Sequence, residues 1–169
     1  MQTPKIVQRD VAHVVYVRES GGYNESSEKA WMKLSEQLND LGANIKEDDQ
    51  NCVTLDVKKG ELLGICHDDP SVTIEENIRY DASIAWDKNE IDFLKNNGFS
   101  TKDLPSGKYA TVLYKGNYEK AIKSWMALYA WIEENGYKFR DSPPFEKYLN
   151  TPQEVSEDEL LTEIYVPVE

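Results

Sequence analysis

The sequence predicts an α+β fold made of two similar strand–helix–strand–strand units in tandem. Runs rich in β-branched and aromatic residues flank two stretches with helical periodicity. The motif Trp31-Met32-x-Leu34 recurs 94 residues later as Trp125-Met126-x-Leu128, and Gly42 recurs as Gly136 at the same offset. Because each unit is too small to bury its hydrophobic face alone, we expect the two to share one core.

The first half contains one strand, one helix and then further strands. A strand over 12–18 ends at Gly21-Gly22, and a helix follows from an N-cap at Ser26 or Ser27 to Gly42. Three more extended stretches follow: a short strand around 53–57, an apolar run over 62–66, and a strand over 78–86. On that last strand, alternation places four residues on one face, namely Tyr80, Ala82, Ile84 and Trp86.

The second half repeats this order after a charged connector over 87–106, in which we expect turns rather than regular elements. We predict a strand over 109–115, a loop at Gly116-Asn117-Tyr118 and a helix that ends at Asn135-Gly136. A strand over 143–150, an acidic loop and a last strand over 161–166 complete the chain. The prediction is a single domain over 1–169 with internal halves at about 5–88 and 106–169.

Composition limits the classes of partner. With 19 basic and 31 acidic residues, the net charge is −12, which argues against direct binding of nucleic acid. Such a surface attracts cationic molecules or basic proteins, although acidity can also serve solubility alone. Two isolated cysteines and the lack of an apolar span or signal core predict a cytoplasmic protein that does not enter a membrane.

The sequence has few residues for the common cofactor and metal sites. His13 and His67 are the two histidines, and neither cysteine lies in a CxxC pair, so we expect no metal site. No GxSxG, P-loop or GxGxxG motif occurs, so we expect no cofactor and assign no catalytic residue. The cluster His67-Asp68-Asp69 before Pro70 is typical of a turn.

The stretch Pro143-Pro144 to Asn150 contains the strongest candidate for a binding residue. A short strand here places Glu146 and Tyr148 on one face and Phe145 on the other. A carboxylate beside aromatic rings, partly out of water, suits a lipophilic cation. The alternative is a solvated surface glutamate.

Aromatic residues are the other unusual feature, with four Trp, ten Tyr and four Phe. Tyrosine and tryptophan suit pocket walls because each combines a flat apolar face with a polar tip. The candidates for the walls of a ligand site, besides Tyr148, are Tyr16, Trp31, Tyr80, Trp86, Tyr114, Trp125, Tyr129 and Tyr165. The alternative for a helix-face residue such as Trp125 is a place in the core.

These residues together resemble the GyrI-like small-molecule-binding domain, the effector domain of AraC-type and MerR-type regulators, which also occurs alone, as in the DNA gyrase inhibitor. The matching stretches run in order along nearly the whole chain: Tyr16-Val17-Arg18, Gly21-Gly22-Tyr23, His67-Asp68-Asp69-Pro70, Arg79-Tyr80-Asp81-Ala82, Gly107-Lys108-Tyr109-Ala110, Gly116-Asn117-Tyr118, Phe145 to Asn150, and Thr162 to Pro167. The resemblance implies a tandem repeat with pseudo-two-fold symmetry, an antiparallel curved sheet, two main helices and a central cleft. It also implies that Glu146 recognises lipophilic cations, with Tyr148 beside it.

The resemblance leaves three functions open. The first is a module that binds amphipathic, cationic molecules, for sequestration or for regulation through a DNA-binding regulator as partner. The second is an interaction with DNA gyrase through the acidic surface. The third is hydrolysis of cyclopropane-bearing natural products, with Glu146 as general base and Tyr114 orienting the substrate. Because no helix-turn-helix precedes the first strand, we expect direct promoter binding only if the chain is part of a longer regulator.

Overall fold

The computed structural model describes residues 2–44 and 57–169. These residues form eight strands and three helices. The strands are β1 Lys5–Arg9, β2 Ala12–Ser20, β3 Glu61–Cys66, β4 Arg79–Trp86, β5 Thr101–Leu104, β6 Gly107–Lys115, β7 Phe145–Tyr148 and β8 Leu161–Val168. The helices are α1 Tyr23–Asn44, α2 Lys88–Asn96 and α3 Ile122–Glu134. The predicted α+β class is confirmed.

The chain divides into two compact units, and each unit is made of more than one stretch of the sequence. The N-terminal unit comprises Ala12–Glu61 and Asp68–Leu104. The C-terminal unit comprises Met1–Val11, Leu62–His67 and Pro105–Glu169. Strands β1 and β3 therefore belong with the C-terminal unit, although they come early in the chain. The internal halves predicted at about 5–88 and 106–169, and the cleft predicted between them, stay predictions.

In the N-terminal unit, β2 lies between β4 and β5 and pairs antiparallel with both. Helix α1 packs on β2 and β4 through the buried side chains of Ala30 and Leu34. The register pairs Val15 with Ile84 and Val17 with Ala82, so these residues share one face of the sheet. Tyr80, Ala82, Ile84 and Trp86 lie on that face, as alternation predicted.

The opposite face of this sheet contains a buried charge. Asp81 is fully buried, and it accepts hydrogen bonds from Arg18 Nε at 2.7 Å and Arg18 Nη2 at 2.9 Å. Lys102 also donates to this carboxylate, and burial is the main reason that its pKa is lowered. The cluster links β5 to β2 and β4 through side chains, because Lys102 lies on the edge strand.

In the C-terminal unit, the strands follow the order β1, β6, β8, β7, β3, and each of these pairs is antiparallel. Helix α3 packs on β6 and β8. Its buried Leu128 and Ile132 contact apolar residues of both strands, including Ala110, Val112, Ile164 and Val166. This apolar cluster defines the helix-covered face of the sheet.

The repeat predicted from sequence recurs in local structure. Leu34 and Leu128 are both buried, whereas Met32 and Met126 are both exposed. The loops before the two helices turn at Gly21 and Gly116, whose φ angles are +133° and +134°. This region of φ favours glycine, which explains the shared Gly-x-Tyr pattern.

Three expectations for the first half and the connector were wrong. Helix α1 begins at Tyr23, three residues before Ser26, because the Ser26 amide already donates to Gly22 O at 2.9 Å. It also continues past Gly42 to Asn44. The supposed connector contains α2 and β5, and most of the strand predicted around 53–57 lies outside the described residues.

These elements were missed because their hydrophobic signal is weak. Two residues of α2, Ile91 and Leu94, are buried, and β5 contributes one buried residue, Leu104. Strand β1 was also missed, since it lies at a sheet edge and none of its residues is fully buried. Short elements with one or two core residues give little periodicity to detect. Among the helices of the described residues, none has both the length and the hydropathy of a bilayer span.

Replacing Gly60 by alanine should destabilise the protein. The added Cβ would lie 2.6 Å from Ile84 Cγ2 and 2.8 Å from Trp86 Nε1. We expect a loss of about 1–3 kcal/mol in the free energy of unfolding, measured by urea denaturation. The control is Gly42→Ala in α1, where nothing lies within 4 Å of the new Cβ, and which should stabilise by about 0.5–1 kcal/mol. Equal stability of the two variants would contradict the close packing at Gly60.

Candidate functional site

The candidate site is built on β7, the four-residue strand that carries Glu146. The register pairs Glu146 with Ile164 of β8 on one side and with Gly64 of β3 on the other. Because Ile164 belongs to the helix-covered face, Glu146 lies on that face too. Gly64 has no side chain, so β3 places no side chain directly beside the carboxylate.

Two neutral donors hold the Glu146 carboxylate. Trp125 Nε1 of α3 donates to Oε1 at 2.8 Å, and the Tyr148 hydroxyl donates to Oε2 at 2.8 Å. Each carboxylate oxygen therefore has one donor, from a helix and from a strand. Within residues 2–44 and 57–169, no basic side chain pairs with this carboxylate.

Burial shifts the pKa values of two groups at the candidate site. It raises the pKa of Glu146, and the hydrogen bonds from Trp125 and Tyr148 oppose that rise without cancelling it. Burial also raises the pKa of Tyr118 to about 12, with a second contribution from the charge of Glu146. The site is thus a partly desolvated carboxylate whose charge is felt by a neighbouring phenol.

The two aromatic donors to this carboxylate contact further aromatic rings. The ring of Tyr118 meets that of Tyr148 edge to face, with centroids 5.3 Å apart. Trp125 stacks on Tyr129 at 6.0 Å, and Tyr129 contacts Phe139 at 5.7 Å. Of the predicted site residues, Trp125 and Tyr148 are brought directly to Glu146. Tyr118 was not among them, although its place in the Gly-x-Tyr repeat was a signal that could have identified it.

Tyr114 lies on the same face of the sheet as Glu146, but its hydroxyl contacts a loop. Its hydroxyl donates to the backbone oxygen of Asn117 at 2.7 Å, and Asn117 Oδ1 accepts from the amide of Glu119 at 2.8 Å. These bonds fix the turn that carries Tyr118. The structure therefore supports Tyr114 as a residue that positions Tyr118, while its contact with a ligand stays a prediction.

Tyr165 lies on the other face of the sheet from Glu146. The register pairs it with Phe145, and the two rings stack with centroids 4.9 Å apart. The Arg9 guanidinium lies 4.8 Å from the Tyr165 centroid, and the Tyr165 hydroxyl donates to Glu163 at 2.8 Å. Strand alternation thus separates Tyr165 from the carboxylate that it was expected to accompany.

Tyr16 and Trp86 belong to the N-terminal unit. Lys102 Nζ lies 4.5 Å from the centroid of Tyr16, on the face that carries Asp81. Trp86 lines an open surface cavity of about 240 Å³ together with Lys59, Glu61, Ala85 and Asp87. The roles of Tyr16 and Trp86 in ligand binding stay predictions.

The tryptophans at the equivalent repeat positions have different acceptors. Trp31 Nε1 donates to the hydroxyl of Tyr80 at 3.0 Å, whereas Trp125 Nε1 donates to the carboxylate of Glu146. The Tyr80 ring also meets Tyr23 edge to face at 6.3 Å. The acceptor of the tryptophan N–H is therefore a tyrosine hydroxyl in the N-terminal unit and a carboxylate in the C-terminal unit.

Glu146→Gln should stabilise the ligand-free protein at neutral pH. A carboxyl whose pKa is raised on folding costs stability as pH rises from its ordinary pKa through its folded pKa. The variant should therefore melt at a higher temperature than the wild type at pH 7, and the difference should shrink toward zero near pH 4. Melts across pH 4–8 test this, and a difference that does not vary with pH would contradict a raised pKa.

Comparison with known families places this geometry in context. A family model described as GyrI-like small molecule binding domain matches residues 2–169. A protein of Bacillus subtilis named as an SPbeta prophage-derived transcriptional regulator, YosT, is 34% identical over 108 residues, which cover 64% of this chain and 68% of YosT. A DNA gyrase inhibitor of Salmonella typhimurium is 26% identical over 110 residues, which cover 64% of this chain and 70% of that protein.

Solved structures share the fold at low sequence identity. The EcmrR C-terminal domain matches with a TM-score of 0.71 and 22% identity, covering 99% of this chain and 97% of that domain. In the longer EcmrR chain of a DNA complex, this chain spans 57% of the length. A hydrolase of Listeria innocua matches with a TM-score of 0.65 and 10% identity, covering 98% of this chain and 91% of that one. SAV2435 bound to tetraphenylphosphonium matches with a TM-score of 0.57 and 16% identity, covering 99% and 94%.

Proposed function

This chain belongs to the GyrI-like family of small-molecule-binding domains, and we propose that it binds amphipathic organic cations at Glu146, for sequestration or for transcriptional regulation. One observation carries the proposal. The Glu146 carboxylate is partly buried, held by two neutral donors, and paired with no cation among the described residues. A ligand with a positive charge would supply the counter-ion that the described residues do not.

The surroundings favour an organic cation over a metal ion. Aromatic rings attract cations through their faces, and the attraction grows when both partners are desolvated. A lipophilic cation is weakly hydrated and gives up its water at lower cost than a compact ion. Trp125, Tyr118, Tyr129 and Tyr148 provide the rings.

The relatives give independent support for this class of ligand. Tetraphenylphosphonium, bound by SAV2435, is a lipophilic cation of this kind. YosT is named as a transcriptional regulator, and the EcmrR chain was solved as a complex with DNA. This chain would then act as the sensing part of such a system, whether within a longer protein or through a partner.

Charge selectivity is the sharpest test of the proposal. Tetraphenylphosphonium and tetraphenylborate have the same shape and opposite charge, so shape alone cannot separate them. We expect the cation to quench tryptophan fluorescence saturably and to stabilise the protein by about 3 kcal/mol at a hundredfold excess over its Kd. Equal binding of the anion would overturn the role of Glu146.

Glu146→Gln should weaken binding of tetraphenylphosphonium at least about tenfold, since it removes the charge and keeps the shape. Binding to the wild type should also tighten as pH rises through the pKa of Glu146, because the cation binds the ionised form. The control is Glu163→Gln, which removes one negative charge from the opposite face of the neighbouring strand. If both variants bind like the wild type, the cation binds elsewhere.

Trp125 should report the bound ligand. Its indole is hydrogen-bonded to Glu146, so Trp125→Phe should remove most of the fluorescence quenching by tetraphenylphosphonium. Trp31→Phe is the matched control, since Trp31 occupies the equivalent repeat position and donates to Tyr80. Quenching that survives in Trp125→Phe and disappears in Trp31→Phe would place the ligand in the N-terminal unit.

A second candidate function is an interaction with DNA gyrase. It is favoured by the net charge of −12, which suits a basic partner, and by the relative named DNA gyrase inhibitor. Inhibition of supercoiling by the purified protein tests it. Hydrolysis of cyclopropane-bearing compounds stays a prediction, and the Tyr114 hydroxyl assigned to it donates to Asn117.

A further inference from the structure

The loop between β3 and β4 carries the two most exposed large hydrophobic side chains of the described residues. Val72 is 82% exposed and Ile74 is 69% exposed, the largest values among the large hydrophobic residues of the described chain. Neighbouring residues on both sides are polar or acidic. Two exposed β-branched side chains two residues apart form a small apolar patch, and apolar patches rimmed by polar residues are typical of interaction sites.

The loop is held in place by a network of hydrogen bonds. Asp68 accepts from Arg79 Nε at 2.9 Å, Nη2 at 2.8 Å and the Arg79 amide at 2.8 Å. The Tyr23 hydroxyl of α1 donates to Asp68 O. These bonds anchor the loop to both β4 and α1.

A turn at the tip orients the apolar pair. The carboxylate of Asp69 accepts from the Ser71 amide at 2.8 Å and from its hydroxyl at 2.6 Å. Its backbone oxygen accepts from the amides of Val72 and Thr73. The two apolar side chains are therefore presented by a preorganised loop, which lowers the entropy cost of association.

The negative charge of the loop favours a basic partner. Residues 67–78 include four acidic residues and no lysine or arginine. Arg79 neutralises Asp68, which leaves Asp69, Glu75 and Glu76 to set the sign. Hydrogen bonds from Ser71 lower the pKa of Asp69, so it stays ionised. The surface thus combines an apolar centre with a negative rim.

We propose that this loop docks onto a basic protein surface that has an apolar socket for Val72 and Ile74. Apolar anchors with complementary charges around them are the usual composition of a specific interface. A protein that binds DNA offers such a basic surface, since it must neutralise phosphates. The partner of this loop is DNA gyrase, which rests on the second candidate function.

The test measures binding of the purified full chain to purified DNA gyrase, together with inhibition of supercoiling. Val72→Ser combined with Ile74→Ser should weaken binding at least about tenfold, because two anchors are lost. Glu76→Lys should weaken it too, and the affinity of the wild type should fall as salt rises. All of these residues are exposed, so the variants should melt like the wild type.

Matched changes elsewhere provide the controls. Met126→Ser removes an apolar side chain that is 62% exposed on α3, and Glu133→Lys reverses an exposed charge on the same helix. Neither should change binding to gyrase. If the loop variants bind and inhibit like the wild type, the loop is not the interface, even if gyrase is the partner. If the wild type neither binds nor inhibits gyrase, both the second candidate function and this partner are overturned.

Discussion

A partly desolvated carboxylate that pairs with no basic side chain of residues 2–44 and 57–169 is the constraint on which the candidate site depends. Burial penalises the charge of Glu146, and two hydrogen bonds from neutral donors compensate for part of that cost. Those donors come from α3 and from β7 itself, so both the helix and the sheet of the C-terminal unit fix the orientation of the carboxylate. The fold holds a charge in an unfavourable state, which the proposed cation would relieve.

The two units show how a repeat can keep its scaffold while its chemistry diverges. Equivalent leucines are buried, equivalent methionines are exposed, and equivalent glycines adopt the same φ. The tryptophans also keep their place and their donor role. What differs is the acceptor, which is the Tyr80 hydroxyl in one unit and the Glu146 carboxylate in the other. A single change of acceptor converts a packed aromatic contact into a site with charge.

The candidate ligand site and the loop at 67–78 differ in composition and in the interactions that they offer. The candidate site around Glu146 combines a partly buried carboxylate with aromatic rings, which suits a small cation. The loop presents exposed apolar side chains within a negative rim, which suits a protein surface. Because no residue belongs to both, each can be changed while the other is kept as a control. A small-molecule-binding domain with a docking loop would serve regulation through a partner.

The sequence by itself determined the α+β class, the repeat, most of the long strands, and the place of Glu146 and Tyr148 on one face of a short strand. It could do so because strand alternation and helical periodicity are local properties of the chain. Short elements such as α2, β1 and β5 were not predicted, because they bury too few residues to produce a detectable hydrophobic periodicity. Only the tertiary structure decided which side chains meet. Packing of α3 on the sheet brings Trp125 to Glu146, the turn at Gly116 brings Tyr118 to Tyr148, and the register turns Tyr165 to the opposite face. These contacts join residues far apart in sequence, and their geometry is set by the packing of whole elements.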